Sequence, residues 1–195
     1  MRKLVVSEFM TLDGIMQAPG TTDEDPSGGF RHGGWQGAYY DDAFGQFVLD
    51  GMAAADAFLF GRRTYETFAA FWPTQPPDHP VAAPMNATQK YVVSTSLTDP
   101  LPWQNSTVIG DDVATTIRQL KAEDGKDIVV IGSGELVQTL IRENLIDEYR
   151  LMVHPLVLGT GKRLFRDEST LSRLELLDSS TTSKGVLLLR YRPAT

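Results

Sequence analysis

Twice in this chain an apolar run breaks at a glycine and continues with helical spacing. Ala57, Phe58, Leu59 and Phe60 run into Gly61, Arg62, Arg63 and Thr64, and Ile128, Val129, Val130 and Ile131 run into Gly132, Ser133, Gly134 and Glu135. A strand without polar alternation must be covered on both faces, which points to a parallel sheet between layers of helices. The junctions also suggest a use. A helix start leaves backbone N–H groups unpaired and carries partial positive charge, while glycine lets an anion approach the backbone closely. Two such junctions can hold the two ends of a dinucleotide, and Arg62, Arg63 and the Thr64 hydroxyl suit the first of them to a pyrophosphate and an extra ribose phosphate.

The rest of the chain agrees with this class. Residues 4–9 predict a strand closed by a turn at Leu12, Asp13 and Gly14. Residues 17–37, rich in Gly, Pro, Asp and Thr and carrying Phe30 and Trp35, predict an active-site flap, because so long a loop in a compact domain is usually functional. Helical spacing covers 39–54, with Asp41 or Asp42 near its start. A strand at 57–60, a helix at 63–71 ended by Trp72 and Pro73, and a proline-rich loop at 74–84 follow. Strands are expected at 90–94, 107–109 and 128–131. Helices are expected from Val113, capped by Asp111 or Asp112 and stopped by Gly125, and over 135–143. Residues 148–157, 174–179 and 186–191 then predict strands with no helix between them. The expected fold is one three-layer α/β/α domain over residues 1–195. Its mainly parallel sheet has about eight strands, with an antiparallel C-terminal edge hairpin and about four helices.

Composition excludes several function classes. The 195 residues carry a net charge of −7 with basic residues scattered, so no nucleic-acid footprint is expected. No apolar run approaches the roughly 20 residues of a membrane span, and the N-terminus turns polar too early for a secretory signal. A soluble, cytoplasmic protein without a membrane partner is expected. There are no cysteines, and His32, His79 and His154 lack ligand spacing, so no metal is expected. The partner is a small-molecule substrate, and the apolar edge hairpin allows a homodimer.

Asp13 ends a core strand beside the flap, where a partly buried carboxylate can have a raised pKa and handle protons. Asp41 and Asp42 carry the same possibility, with N-capping as their structural alternative. Ser94, Thr95 and Ser96 offer hydroxyls to an adenosine ribose if Arg62 faces the same edge. Trp35 and Phe30 either stack on a flat heterocycle or pin the loop, and His154 suits a satisfied core or edge position. Familiar motifs fail in detail. Val137 stands at the third glycine of GxGxxG, Leu156 and Arg163 break a Walker A loop at 159–162, and Ile131 breaks a GxSxG frame around Ser133.

Residues 11–14, 60–66, 92–96, 130–136 and, most specifically, 145–165 make the chain resemble the dihydrofolate reductase fold. Within it, the chain is most similar to the reductase domain of the riboflavin-biosynthesis deaminase-reductase and its stand-alone relatives. The resemblance implies NADPH as hydride donor. It implies Arg62 and Ser96 at the 2′-phosphate, Arg63 and Thr64 at the pyrophosphate, and Gly132, Ser133, Gly134 and Glu135, flanked by Ile131 and Leu136, toward the nicotinamide. Asp13 matches the family's Leu-Asp-Gly motif, and the substrate pocket would lie between the flap and the helix from Tyr39. Glu135 departs from a family position that often carries a cationic or polar cofactor contact, and Val137 from a common tyrosine. The implied activity is that of a 5-amino-6-(5-phosphoribosylamino)uracil reductase-like enzyme, with hydride transfer to a flat heterocyclic or ribosylamino substrate. A dihydrofolate or pterin reductase and a non-catalytic nucleotide-binding protein are the alternatives.

Overall fold

The continuous apolar runs pair in parallel, as their lack of alternation demands. The structure, a computed structural model, describes residues 1–166 and 172–194. Its strands are β1 (Leu4–Thr11), β2 (Ala55–Gly61), β3 (Gln89–Val93), β4 (Ser106–Ile109), β5 (Asp127–Ile131), β6 (Glu148–His154), β7 (Leu174–Thr181) and β8 (Leu187–Pro193), in the order β4-β3-β2-β5-β1-β6-β8-β7. The strands from β4 across to β6 run parallel, and β8 and β7 add the antiparallel hairpin at the edge.

Helices cover both faces. Strand alternation sends Leu4 and Val6 to one side, where they meet Ile117 and Leu120 of α4 (Val113–Ala122) and Leu136, Val137 and Leu140 of α5 (Gly134–Arg142). Val5 points the other way. There it joins Met52 of α1 (Asp42–Ala53), Tyr65 of α2 (Arg62–Phe71) and Met85 of α3 (Ala82–Ala87), around Phe58 and Phe60. Each such fully buried aliphatic or aromatic side chain contributes about 2 kcal/mol of transfer free energy. Among the described residues no helix is long and apolar enough to cross a membrane.

Three local expectations change. α3 forms inside and just beyond the stretch expected to be loop, giving five α-helices among the described residues where about four were expected. Its cause is non-local. His79 Nδ1 accepts from the Val81 and Ala82 N–H groups at 3.2 Å, capping the helix start, and Lys90 Nζ donates to the Met85 and Thr88 carbonyls at its end, at 3.0 and 2.6 Å. β6 stops at His154 instead of reaching residue 157, because Pro155 has no N–H to continue the ladder. α1 begins at Asp42, after a separate turn at Gly37–Tyr39, since Asp41 is extended at φ −148° and serves as N-cap.

Candidate functional site

β2 and β5 are adjacent and parallel, so their two glycine junctions emerge side by side at one edge. They interlock there. The Gly61 N–H donates to Ser133 Oγ at 2.9 Å, and the Ser133 N–H donates back to Thr64 Oγ1 at 3.0 Å. Gly132, at φ +63°, lies so close that a Cβ would stand 3.3 Å from Thr64 Oγ1. Helices α1 and α4 are capped by their own acids, Asp41 accepting from the Phe44 N–H and Asp112 from the Thr115 N–H. The N-cap residues of α2 and α5, Gly61 and Ser133, make no side-chain cap. The two helices at the paired junctions therefore keep their first-turn amides for an external acceptor.

Sheet register brings the remaining expected contacts to the same edge. Gly61 pairs with Val93, so Arg62 and Ser94 are the first residues beyond two neighbouring strands. Ser94 is buried and spends its Oγ on the Ser96 and Leu97 N–H groups, at 3.1 and 3.0 Å, while Thr95 and Ser96 are exposed. Arg62 holds Glu66 with two bonds of 2.9 and 3.1 Å, and Arg63 is exposed. Glu135, the departure from the family pattern, holds Arg166 at 2.6 and 3.1 Å. Arg166 thus brings a positive charge from a later loop to position 135, and hydrogen bonding to it holds the Glu135 carboxyl below the usual range. Glu135, Gly161, Lys162, Arg163 and Arg166 line a cavity of about 350 Å³.

β1 and β5 part beyond Ser7 and Ile131, while β1 continues beside β6 as far as Thr11. The next residue on β1 is Glu8, which the sequence reading missed. It is 4% exposed, and Oε1 has no hydrogen-bond partner among the described residues. Burial pushes its carboxyl well above the usual range, Glu24 adds to the rise, and a hydrogen bond from the Gly132 backbone opposes it. The available signal was a glutamate at an inward-alternating position of an otherwise apolar strand.

The flap folds onto its own small core. Phe30 and Trp35 are buried with Ile15 and Ala18, and Trp35 Nε1 donates to the Gln17 carbonyl at 2.8 Å. Both rings pin the loop, and Phe30 also lines a cavity of about 280 Å³ with Gln17, Gly161 and Lys162. Behind Trp35, four rings surround the buried His154: Phe9, Trp35, Tyr39 and Phe44, with centroids 4.9 to 6.3 Å away. His154 Nδ1 lies 3.0 Å from the Met152 carbonyl and 3.3 Å from that of Met10, which makes Nδ1 the protonated nitrogen; Nε2 is without a partner among the described residues. Burial lowers its pKa below 6.5. The unfolded chain then binds more protons than the folded one just below that value, so stability is lost as pH falls. The urea midpoint should drop on acidification below pH 6.5, and His154→Phe should flatten the drop; equal slopes would remove His154 as its cause.

Two of the three candidate acids, Asp13 and Asp41, are engaged by local donors. Asp13 is desolvated, which raises its pKa, but donors from Thr11, Gly159 and Leu158 outweigh that and hold it below the usual range. This direction is opposite to the raised value expected from its position. The Gly159 and Leu158 bonds, 2.8 and 3.3 Å long, clamp a loop that is distant in sequence. Asp41 is held low by the Ser183 hydroxyl and the Phe44 N–H. Ser183 follows β7 in the turn to β8, and β8 is the third strand from β5, roughly 14 Å away at about 4.8 Å per strand. Asp42 is exposed in the first turn of α1. The junctions, Arg62 and the 94–96 hydroxyls come together at one edge; Asp41 and Asp42 stand apart from them.

A parallel sheet with two interlocked glycine junctions and an antiparallel edge hairpin defines a dihydrofolate reductase-like α/β protein. Residues 2–188 match the RibD C-terminal domain, and the chain belongs to that family. The uncharacterised Bacillus subtilis protein YyaP is 29% identical over 97% of this chain and 94% of its own length. Among solved structures, a riboflavin biosynthesis protein from Shewanella superposes with a TM-score of 0.70 at 20% identity, covering 99% of both chains. Acinetobacter baumannii RibD gives 0.66 at 18% identity, with this chain spanning 58% of its length. At 20% and 18% identity these likenesses are of fold.

Proposed function

We propose that the chain is an NADPH-dependent oxidoreductase of the riboflavin-biosynthesis reductase type, acting on a flat heterocyclic or ribosylamino small molecule. The observation that carries this reading is the pair of interlocked helix starts without side-chain caps, each opening on glycine and arginine or glycine and serine. A phosphate-bearing dinucleotide fits that donor set. Arg62 beside Ser94, Thr95 and Ser96 supports a 2′-phosphate contact, Arg63 and Thr64 a pyrophosphate contact, and Ile131 to Leu136 the opposite wall. Arginine suits a doubly charged phosphate because its planar fork donates two bonds at once.

When bound, NADPH supplies the hydride; the chain binds, orients and excludes water. Phe30 and Trp35 act by holding the flap in place. Lys162 and Arg166, in the cavity beside α5, suit an anionic group on the substrate. Asp13 and Asp41 are committed as hydrogen-bond acceptors, so in this reading they steady loops and the substrate's proton comes from another group or from water. Exposed Leu176 and Leu177 on the edge strand β7 support a homodimer through that hairpin.

Two measurements test the reading together: calorimetric titration with NADPH and with adenosine 2′,5′-bisphosphate, and NADPH oxidation across pterins, folates and ribosylaminopyrimidines. Saturable binding of both nucleotides and turnover on one substrate class are expected. A protein that binds neither nucleotide overturns the proposal, and binding without turnover on any class leaves a nucleotide-binding protein.

A further inference from the structure

Glu8 is the buried charged residue that packing does not account for. Lys90 is buried but has three carbonyl acceptors, and Glu148 is buried between Lys3 and Arg190 at 3.3 and 2.7 Å. Among the described residues Glu8 has no ion pair. By alternation with Leu4, Val6 and Met10 its side chain lies on the α5 face of the sheet, at the first residue past the last β1–β5 pair. The neighbouring elements give it little polar company. α5 presents Leu136, Val137 and Leu140 on that face and β6 presents Leu151, none of which titrates. Glu24, from the flap, is the charged group that acts on it, and the Gly132 backbone supplies a hydrogen bond. An acid in apolar surroundings near a second carboxyl keeps its proton. Leaving Oε1 sealed and unpartnered costs folding stability, a cost that a ligand group would offset.

A neutral carboxyl is the donor–acceptor complement of a planar amide. Its O–H donates to the amide carbonyl while its C=O accepts from the amide N–H. We propose that Glu8 is an amide-recognition residue: just past the last β1–β5 pair, its carboxyl pairs with the –CO–NH– edge of a flat ring. That edge belongs either to the carboxamide of a nicotinamide or to the ring amide of a uracil-type substrate. The first source rests on the dinucleotide reading above; the second does not.

The chemistry separates two substitutions. Glu8→Gln keeps a donor and an acceptor in one plane and removes the titration, whereas Glu8→Leu removes both hydrogen-bonding groups. Binding is followed by calorimetry from about pH 5 to pH 9, the range in which buried glutamates titrate. The probes are NADPH, its 3-acetylpyridine analogue, which keeps the carbonyl but lacks the amide N–H, 5,6-diaminouracil, and adenosine 2′,5′-bisphosphate, which has no such amide. If the nicotinamide is the source, the wild type prefers NADPH to the analogue by about tenfold or more, the worth of one to two neutral hydrogen bonds. Affinity for both falls as pH rises and Glu8 loses its donor, while the preference, which rests on the acceptor that the carboxylate keeps, persists. Glu8→Gln keeps the preference without the pH dependence, and Glu8→Leu loses it. If the substrate ring is the source, the same pattern appears for 5,6-diaminouracil and NADPH is unaffected.

Unchanged affinity for both amide probes in folded Glu8→Leu overturns the proposal. So does an undiminished pH dependence in Glu8→Gln, which decides the matter if the leucine variant fails to fold. Wild-type protein that binds neither amide probe also overturns it. Failure of the dinucleotide reading is distinguishable, because it appears as absent binding of adenosine 2′,5′-bisphosphate while the 5,6-diaminouracil arm still judges Glu8.

Discussion

Arg62→Ala should weaken NADPH binding by roughly 50-fold and leave NADH binding within about twofold, the difference expected when a forked charge-assisted contact to phosphate is removed. The size follows from where Arg62 stands. It opens α2 beside the start of the 94–96 turn, and its guanidinium already makes two bonds with one carboxylate, Glu66. A phosphate competing for the same fork must displace Glu66 or share the arginine with it. The pair is an i,i+4 surface contact with both side chains more than two-fifths exposed, so its own stabilisation is small, a few tenths of a kcal/mol. Most of the phosphate interaction therefore survives the competition. Calorimetric titration of both nucleotides into both proteins checks this. Parallel losses for NADPH and NADH would show that Arg62 acts on something the two share, and would remove it from the 2′-phosphate.

Lys90→Met should lower the free energy of unfolding by about 3 kcal/mol, because buried acceptors left without a donor each cost on the order of 1 to 3 kcal/mol before relaxation. Lys90 is fully buried at the second position of β3. Its ammonium donates to the carbonyls of Met85, Asn86 and Thr88 and lies 4.5 Å from the centroid of the Trp103 ring. Methionine fills much of the same volume but supplies no donor to the end of α3. Urea unfolding with an unchanged slope and a lower midpoint is the expected result. Burial also brings the Lys90 pKa down to about 8 from 10.5, so across that window the unfolded chain binds more protons than the folded one. Stability contributed by Lys90 then rises with pH through the same window. A midpoint difference between the two proteins that stays constant from pH 8 to 10.5 would contradict that assignment.

The sheet was legible in the sequence because its strands are short apolar runs closed by glycine or polar turns, a signal contained within each segment. The junctions were legible for the same reason: Gly61 ends β2 and Gly132 follows directly on β5. What the sequence hid depends on contacts between distant segments. α3 lies among prolines, and the groups that stabilise it, His79 and Lys90, flank it without resembling a cap motif. Asp13 looked like a desolvated acid because its N–H donors come from residues 158 and 159. Glu135 looked like a lost cation because Arg166 follows it by 31 residues. Glu8 was hidden differently. Its position on an inward face was readable from alternation, but the end of β1–β5 pairing at Ser7 became apparent only from the register.

The central place of β1 also governs the order in which the molecule can be assembled. β2, β3 and β4 pair with one another in the order in which they are made. β1 is made before any of them, yet it pairs only with β5 and β6, and Val5 must wait for Glu148. At about 5 to 20 residues per second, that wait during translation is on the order of ten seconds. Until β5 is made, Leu4, Val5 and Val6, each destined for near-complete burial, have no strand to pair with. The need for protection by chaperones on the ribosome therefore falls on this first strand, and a slowing of synthesis between β2 and β5 would prolong it.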